Sequence, residues 1–144
     1  YFGFQTNSNI GVCTISATDG TLSSCNNGVN GSTNSPYGIA FSGSYFYDSD
    51  YFNSKIYACT ITAVTGTIPS GNCTQLSDPT IVNPVDIAAD SGKLYIINSL
   101  SNNLASLVKC NVSAATLSSC TTNVTNLFWN ANTNQEVEMY LATF

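Results

Sequence analysis

The pentapeptide TLSSC occupies residues 21–25 and recurs unchanged at residues 116–120. A degraded copy, TIPSGNC, lies between them at residues 67–73. Each copy ends in a cysteine, and another cysteine stands a short distance upstream in VCTIS (12–16), ACTIT (58–62) or KCNVS (109–113). The chain therefore contains a threefold internal repeat, and each repeat carries one pair of cysteines.

The segments that follow each pair also align. SPYGIAFSGSYFY (35–47) matches NPVDIAADSGKLYI (83–96), and the third copy has drifted to QEVEMYLATF (135–144). Three units of about 48 residues account for the chain, with boundaries at 1–44, 45–93 and 94–144.

Each unit reads as four short strands. In the second unit these are YFYDS, KIYACTIT, GTIPSGNC and, after a loop, VDIAAD. β-Branched and aromatic residues dominate the strands, and Gly, Asn, Asp and Pro separate them. No segment has an apolar period of 3.6 residues, so the sequence predicts an all-β fold.

The cysteine spacing predicts three disulfide-closed hairpins, Cys13–Cys25, Cys59–Cys73 and Cys110–Cys120. The first pairing places Thr14 opposite Ser24 and leaves a three-residue loop, Thr18-Asp19-Gly20. Gly20 can adopt the positive φ that such a loop requires. The third hairpin is centred on Ala115, and the second is longer, with a bulge indicated by Pro69 and Gly71.

Metal or redox chemistry is the alternative use of these cysteines. The sequence has no CxxC motif and no histidine, and its spacings bring two sulfur atoms to each site rather than four. This favours disulfides, which persist in oxidising compartments, so we expect a secreted protein.

Charge is scarce. Charged residues are 8% of the chain, the formal net charge is −5, and the only bases are Lys55, Lys93 and Lys109. Binding to nucleic acid needs basic residues that displace counterions from phosphates, so this composition argues against it. No apolar run approaches the length of a membrane span.

The aligned segments resemble the blades of NHL- or YVTN-type β-propellers. The resemblance is carried by a P-x-G-I-A motif followed by a glycine and an aromatic strand. Its residues are Pro36, Gly38, Ile39, Ala40, Gly43 and Tyr45, and then Pro84, Ile87, Ala88, Gly92 and Tyr95. The paired cysteines resemble those of a secreted subgroup of these repeats. Asp86 stands where the motif has glycine, and the third unit lacks P-x-G-I-A.

The resemblance implies three four-stranded blades, each closed by a hairpin disulfide, arranged around a central channel. Propellers use four to eight blades, so three do not close a ring. Joining LATF (141–144) to YFGF (1–4) reproduces the spacing of FSGS (41–44) to YFYD (45–48). We therefore expect head-to-tail continuation with further copies, in a ring or along a fibre.

Catalytic chemistry is poorly represented. Without histidine there is no Ser-His-Asp or Cys-His arrangement, and without arginine there is no strong anion clamp. We predict no cofactor and no resident metal. Asp48 and Asp50 could hold Ca²⁺ with turn carbonyls, although solvated acids in a polar turn are the favoured interpretation. Glu136 and Glu138 alternate along one strand and read as a polar face rather than a glycosidase pair.

Aromatic residues are the remaining candidates for ligand binding. Tyr51, Phe52 and Trp129 fall in expected loops beside Asn and Asp residues, a combination typical of both sugar-stacking sites and protein interfaces. Together with Asp48 and Asp50 they form the predicted ligand site.

Two functions fit these features. The first is a non-enzymatic, extracellular, structural or adhesive glycoprotein that self-associates into a propeller ring or a fibre. The second is a lectin-like module that binds carbohydrate through the predicted ligand site.

The sequence also predicts N-glycans. Four Asn-x-Ser/Thr sequons begin at Asn30, Asn72, Asn111 and Asn123. We expect glycans on some of these residues because the chain carries the cysteines of an oxidising compartment. Removal of N-glycans from material purified from its native source should therefore lower the intact mass. An unchanged mass would show that the sequons are unused.

Overall fold

The computed structural model of the chain describes residues 2–4, 9–30, 36–62, 71–101 and 104–128. Within these ranges the chain forms strands and turns and no helix. The predicted all-β fold is therefore confirmed for this part of the chain. Trp129, Glu136, Glu138 and the third copy of the aligned segment (135–144) lie outside the described residues.

The strands form three antiparallel sheets in which each strand pairs only with its neighbours in sequence. The N-terminal sheet contains β1 (Phe2–Phe4), β2 (Asn9–Ile15) and β3 (Leu22–Asn30). The central sheet contains β4 (Pro36–Ser42), β5 (Tyr45–Asp50), β6 (Lys55–Thr60) and β7 (Cys73–Leu76). The C-terminal sheet contains β8 (Pro84–Asp90), β9 (Lys93–Ser99), β10 (Leu104–Ser113) and β11 (Thr116–Phe128).

The strands are divided among the sheets differently from the predicted blades. β4 pairs with β5 across Gly43-Ser44, and β8 pairs with β9 across Ser91-Gly92. Gly43 and Gly92 adopt positive φ angles of 59° and 76°, so each turn is tight and keeps its two strands in one sheet. The P-x-G-I-A segment is therefore the first strand of a sheet and not the last strand of the preceding one. The predicted unit boundaries at 44/45 and 93/94 consequently fall at hairpins within sheets.

Two of the sheets have four strands, the number predicted for each blade, but neither contains the four strands that the prediction grouped together. The described part of the N-terminal sheet has three strands. Contacts between sheets join β1 to β4, and β4 and β5 to β8. Over the described ranges the sheets therefore form an open stack and not a closed propeller.

All three predicted disulfides form, Cys13–Cys25, Cys59–Cys73 and Cys110–Cys120, each with a Cα–Cα distance of 4.0 Å. Each one links the last two strands of its sheet, and no cysteine is free. In the central sheet Cys59 lies directly opposite Cys73.

The other two hairpins contain a β-bulge that the predicted register lacks. Thr14 lies opposite Ser23 instead of Ser24, so Ser24 and Cys25 together oppose Cys13. Ser119 and Cys120 oppose Cys110 in the same way. Ser24 and Ser119 adopt φ angles of 49° and 50°, which place the second serine of both TLSSC copies in the left-handed region. The repeated pentapeptide thus encodes a bulge beside the disulfide.

The hairpin turns adjust to these bulges. The first has a four-residue loop, 17–20, closed by a Ser16 N to Thr21 O hydrogen bond of 2.9 Å, and Gly20 has the expected positive φ of 72°. The third has the two-residue turn Ala114-Ala115. In the second hairpin β6 and β7 pair without a register shift, and Pro69 lies outside the described residues.

The main core lies between the central and C-terminal sheets. Buried residues of the two facing surfaces, and one from the connection between β7 and β8, form one cluster: Ala40, Tyr47, Ile56, Ala58, Leu76, Ile81, Ile87, Leu94, Ile96, Val108, Cys110 and Val112. The opposite face of the central sheet carries a second cluster around Phe46 and Cys59, with Ile39 and Ile61 packed against it. The central sheet therefore has an apolar cluster on each face.

Gly38 sets how closely these two sheets approach. A Cβ at residue 38 would lie 2.7 Å from the Cα of Asp86 and 2.7 Å from the backbone nitrogen of Ile87. Gly38 and Asp86 are the equivalent residues of the two P-x-G-I-A segments. Equivalent positions of successive units thus meet where β4 passes β8, and this contact excludes a side chain at residue 38.

We expect Gly38→Ala to lower the free energy of unfolding by about 2 kcal/mol, because the added methyl group overlaps backbone atoms that cannot move independently. Chemical denaturation measures this loss. Gly43→Ala is the matched control: residue 43 has open space around it but a positive φ, so it should cost only about 1 kcal/mol. Equal costs for the two variants would contradict the close approach of β4 to β8.

Candidate functional site

The two carboxylates of the predicted ligand site lie on a strand and not in a solvated turn. Asp48 and Asp50 belong to β5, and both have 0% of their surface exposed. They alternate along the strand with Tyr47 and Ser49, which are also buried. The prediction of solvated acids is therefore wrong for both residues, and their burial argues against direct contact with a ligand in solution.

Asp50 organises the turn that follows it. Its Oδ1 accepts a hydrogen bond from the backbone nitrogen of Asn53 (3.2 Å), and its Oδ2 accepts one from Asn53 Nδ2 (2.8 Å). At the end of the same turn, Ser54 Oγ donates to Asn83 Oδ1 (3.1 Å) and accepts from the backbone nitrogen of Asn83 (3.0 Å). Asp50 thus fixes a turn that Ser54 ties to the start of the next sheet.

This turn presents two of the three predicted aromatic residues, Tyr51 and Phe52. The ring centroids of Tyr51 and Phe52 lie 5.2 Å apart, and Tyr51 lies 5.1 Å from Tyr37 on β4. Tyr51 also packs against the cluster of Val85, Ile97 and Ala105, whereas Phe52 is 69% exposed. Of the described ligand candidates, Phe52 offers by far the most accessible ring.

The buried carboxylates influence a neighbouring tyrosine. Tyr57 on β6 lies opposite Asp48 in the strand register. Burial, and then the charges of Asp50 and Asp48, raise the pKa of the Tyr57 hydroxyl above its usual value. The Tyr57 phenol is therefore harder to ionise than an exposed tyrosine.

A surface cleft of about 310 Å³ adjoins this turn. Its lining combines polar and charged side chains with two apolar ones: Asn53, Ser54, Lys55, Ser77, Asp78, Pro79 and Ile81. Asp78 braces one wall, since its Oδ1 accepts hydrogen bonds from the backbone nitrogen of Thr80 (2.9 Å) and from Thr80 Oγ1 (2.6 Å). Lys55 and Asp78 place one charge of each sign in the cleft. The sequence patterns did not indicate this site, because the connection 77–81 approaches the turn only in the fold.

Polar contacts between chain segments also escaped the sequence analysis. Tyr47 Oη donates a hydrogen bond of 2.8 Å to the carbonyl of Ala114 in the turn of the last hairpin. Burial, and then the charge of Tyr45, raise the pKa of the Tyr47 hydroxyl.

Asn98 joins the C-terminal sheet to the connection before it. Its Nδ2 donates to Thr80 O (2.7 Å), and its Oδ1 accepts from Val82 N (3.2 Å). Asn98 lies opposite Pro84, and Asp50 lies opposite Pro36. Asn98 is therefore the equivalent of Asp50, which a correct strand register would have shown.

Three of the four sequon asparagines have exposed side chains. Asn72 immediately precedes β7, Asn111 lies on β10 and Asn123 lies on β11. Lys93 Nζ donates to Asn111 Oδ1 at 3.2 Å. Asn30 ends β3, and its side chain lies outside the described residues. Glycosylation of these residues remains a prediction.

Among the described residues, no three His, Cys, Asp or Glu side chains come together in a group that could hold a metal ion.

In the same part of the chain there is no helix with the length and apolar character needed to cross a bilayer.

A scan against protein-family models and a search of curated proteins each find no match to this chain. The likeness to NHL- or YVTN-type repeats therefore remains a prediction that rests on the motif residues themselves.

We expect Asp50→Ala to lower the free energy of unfolding by about 2 kcal/mol, because Asn53 loses the acceptor for two charge-assisted hydrogen bonds. Urea denaturation measures the loss. Asp50→Asn retains one side-chain oxygen as an acceptor and should cost less. If Asp50→Ala unfolds at the same urea concentration as the wild type, the carboxylate does not hold the turn.

Proposed function

We propose that this chain is a non-enzymatic structural repeat protein of the extracellular space that self-associates by stacking its sheets. The observation that carries the proposal is the face-to-face packing of successive units through equivalent positions, with Gly38 against Asp86. A packing that relates one unit to the next by the same contacts can be extended by any further copy.

Two features of the central sheet support extension by stacking. Its first face carries the cluster of Phe46 and Cys59, and its second face contributes Tyr47 and Ile56 to the main core. An apolar cluster on each face is the pattern expected of a unit inside a stack, because a sheet at the surface of an isolated domain has one polar face.

Chemical composition supports a structural role over a catalytic one. The chain has no histidine, its three bases are all lysines, and its six cysteines are consumed by disulfides. Three disulfides suit an oxidising, extracellular environment. Some of the exposed sequon asparagines, such as Asn72, would carry N-glycans.

Carbohydrate binding is the second candidate, favoured by the exposed ring of Phe52 and by the cleft that its neighbour in sequence, Asn53, lines. An aromatic face next to amide, hydroxyl and charged groups suits a sugar, which stacks through its C–H bonds and bonds through its hydroxyls. A glycan array tests this function. Binding that is lost in Phe52→Ala and kept in Phe41→Ala, a second exposed aromatic residue, would favour the lectin.

Sedimentation velocity of native material over a range of micromolar concentrations tests self-association. We expect the sedimentation coefficient to rise with concentration above the value for one chain, because stacking is governed by mass action. A single monomeric species at every concentration would contradict the proposal.

A further inference from the structure

The tip of the first hairpin exposes an apolar pair whose counterpart in the C-terminal sheet packs into the main core. Ile15 and Leu22 lie opposite each other and are 66% and 61% exposed. The equivalent pair in the C-terminal sheet, Val112 and Leu117, packs in the main core against the central sheet. In the C-terminal sheet, the central sheet covers this apolar pair. Among the described residues nothing covers the corresponding pair of the N-terminal sheet.

The complementary surface is the outer face of the C-terminal sheet, the face directed away from the central sheet. On β9 the buried core residues Leu94 and Ile96 point toward the central sheet, so Tyr95 points outward. Tyr95 lies opposite Ala88, as Tyr47 lies opposite Ala40. Tyr95 is therefore the equivalent of the tyrosine whose hydroxyl binds the hairpin turn of the next sheet.

Apolar side chains continue this outer face beyond Tyr95. Leu107 is half-buried, and it lies opposite Val124, which is 41% exposed. Leu107 takes the place that Ile56 occupies in the central sheet, where Ile56 belongs to the main core. The outer face therefore offers the apolar groups that a hairpin tip such as Ile15 and Leu22 needs.

The charges of the two surfaces are opposite. The outer face carries Lys93 and Lys109, two of only three bases in the chain. Asp90 lies opposite Lys93, whereas Lys109 lies opposite Tyr95 and Thr121 and so has no acid across from it. The loop of the first hairpin carries Asp19, which is exposed. Hydrogen bonds from Ser16 and from the Thr21 backbone lower the Asp19 pKa to about 2, so this carboxylate is charged at neutral pH. The equivalent turn of the C-terminal sheet, which accepts the hydrogen bond from Tyr47, consists of the uncharged residues Ala114 and Ala115.

We propose that the first hairpin tip, formed by Ile15, Leu22 and Asp19, docks on the outer face of the C-terminal sheet of a second copy of this chain, at Tyr95, Lys93 and Lys109. This inference rests on the proposed self-association and names its two surfaces. The second copy fits because the contact repeats the packing between the central and C-terminal sheets and adds complementary charge.

The docking has a consequence for modification. Asn111 lies beside Lys109 on the same outward-directed face, and a glycan there would cover the surface. Asn111 is therefore unmodified wherever two copies are docked, and the test uses the full chain produced with its disulfides but without N-glycans.

Charge reversal tests the contact by sedimentation equilibrium at low ionic strength. We expect Asp19→Lys, and separately the double variant Lys93→Glu/Lys109→Glu, to weaken association by about tenfold or more, because each places like charges together. An equimolar mixture of the two variants should associate again, since the base introduced into the hairpin loop of one variant then meets the acidic face of the other. The double variant Thr74→Lys/Gln75→Lys, which adds equal charge at two exposed positions of β7, should associate like the wild type.

The outcomes separate the two proposals. A wild-type chain that stays monomeric overturns self-association and the docking together. A wild type that associates, with both charge-reversed variants associating equally well, overturns the docking surfaces and leaves self-association standing. Loss in the variants without recovery in the mixture also overturns the docking, because it points to damaged folding instead of a broken contact.

Discussion

The close approach of β4 to β8 is the constraint on which the described fold depends. At Gly38 the backbones come so near that no side chain fits, and the rest of the interface follows from this spacing. Tyr47 then reaches the Ala114 carbonyl, and Ile56 and Leu76 meet Val108 and Val112 in one core. An isolated two-stranded hairpin is marginally stable at best. The contact between β4 and β8 brings the hairpins of two sheets around one shared core.

The hairpins and disulfides could be predicted because the repeat places each cysteine pair at the same point of its unit. The bulges could not. An even spacing between two cysteines fits a regular hairpin with an odd loop, and it fits equally well an even hairpin with one extra residue. Ser24 and Ser119 select the second solution by adopting a left-handed conformation, and serine is not a residue whose presence signals that conformation.

The candidate site was harder to predict than the fold. Asp48 and Asp50 stand among Tyr, Ser, Asn and Phe residues, a local composition typical of a polar turn. Their burial results from the strand continuing to Asp50 and from what packs over it, neither of which the local composition encodes. The prediction that Tyr51 and Phe52 lie in a turn is correct. The pairing of β5 with β6 ends at Asp50 and Lys55, and Tyr51 is the first residue of the turn between them.

The strictly sequential strand order has a consequence for how the chain is made. In the central and C-terminal sheets each strand pairs with the one synthesised just before it, and each disulfide joins cysteines separated by 10 to 14 residues. These two sheets need only local sequence for their strand pairing, so each can be completed soon after its last strand leaves the ribosome. The central sheet can form before the hairpin turn at Ala114 has been translated. The hydroxyl of Tyr47 can then bind the Ala114 carbonyl when the last hairpin folds. This strand order permits assembly from the N-terminus toward the C-terminus.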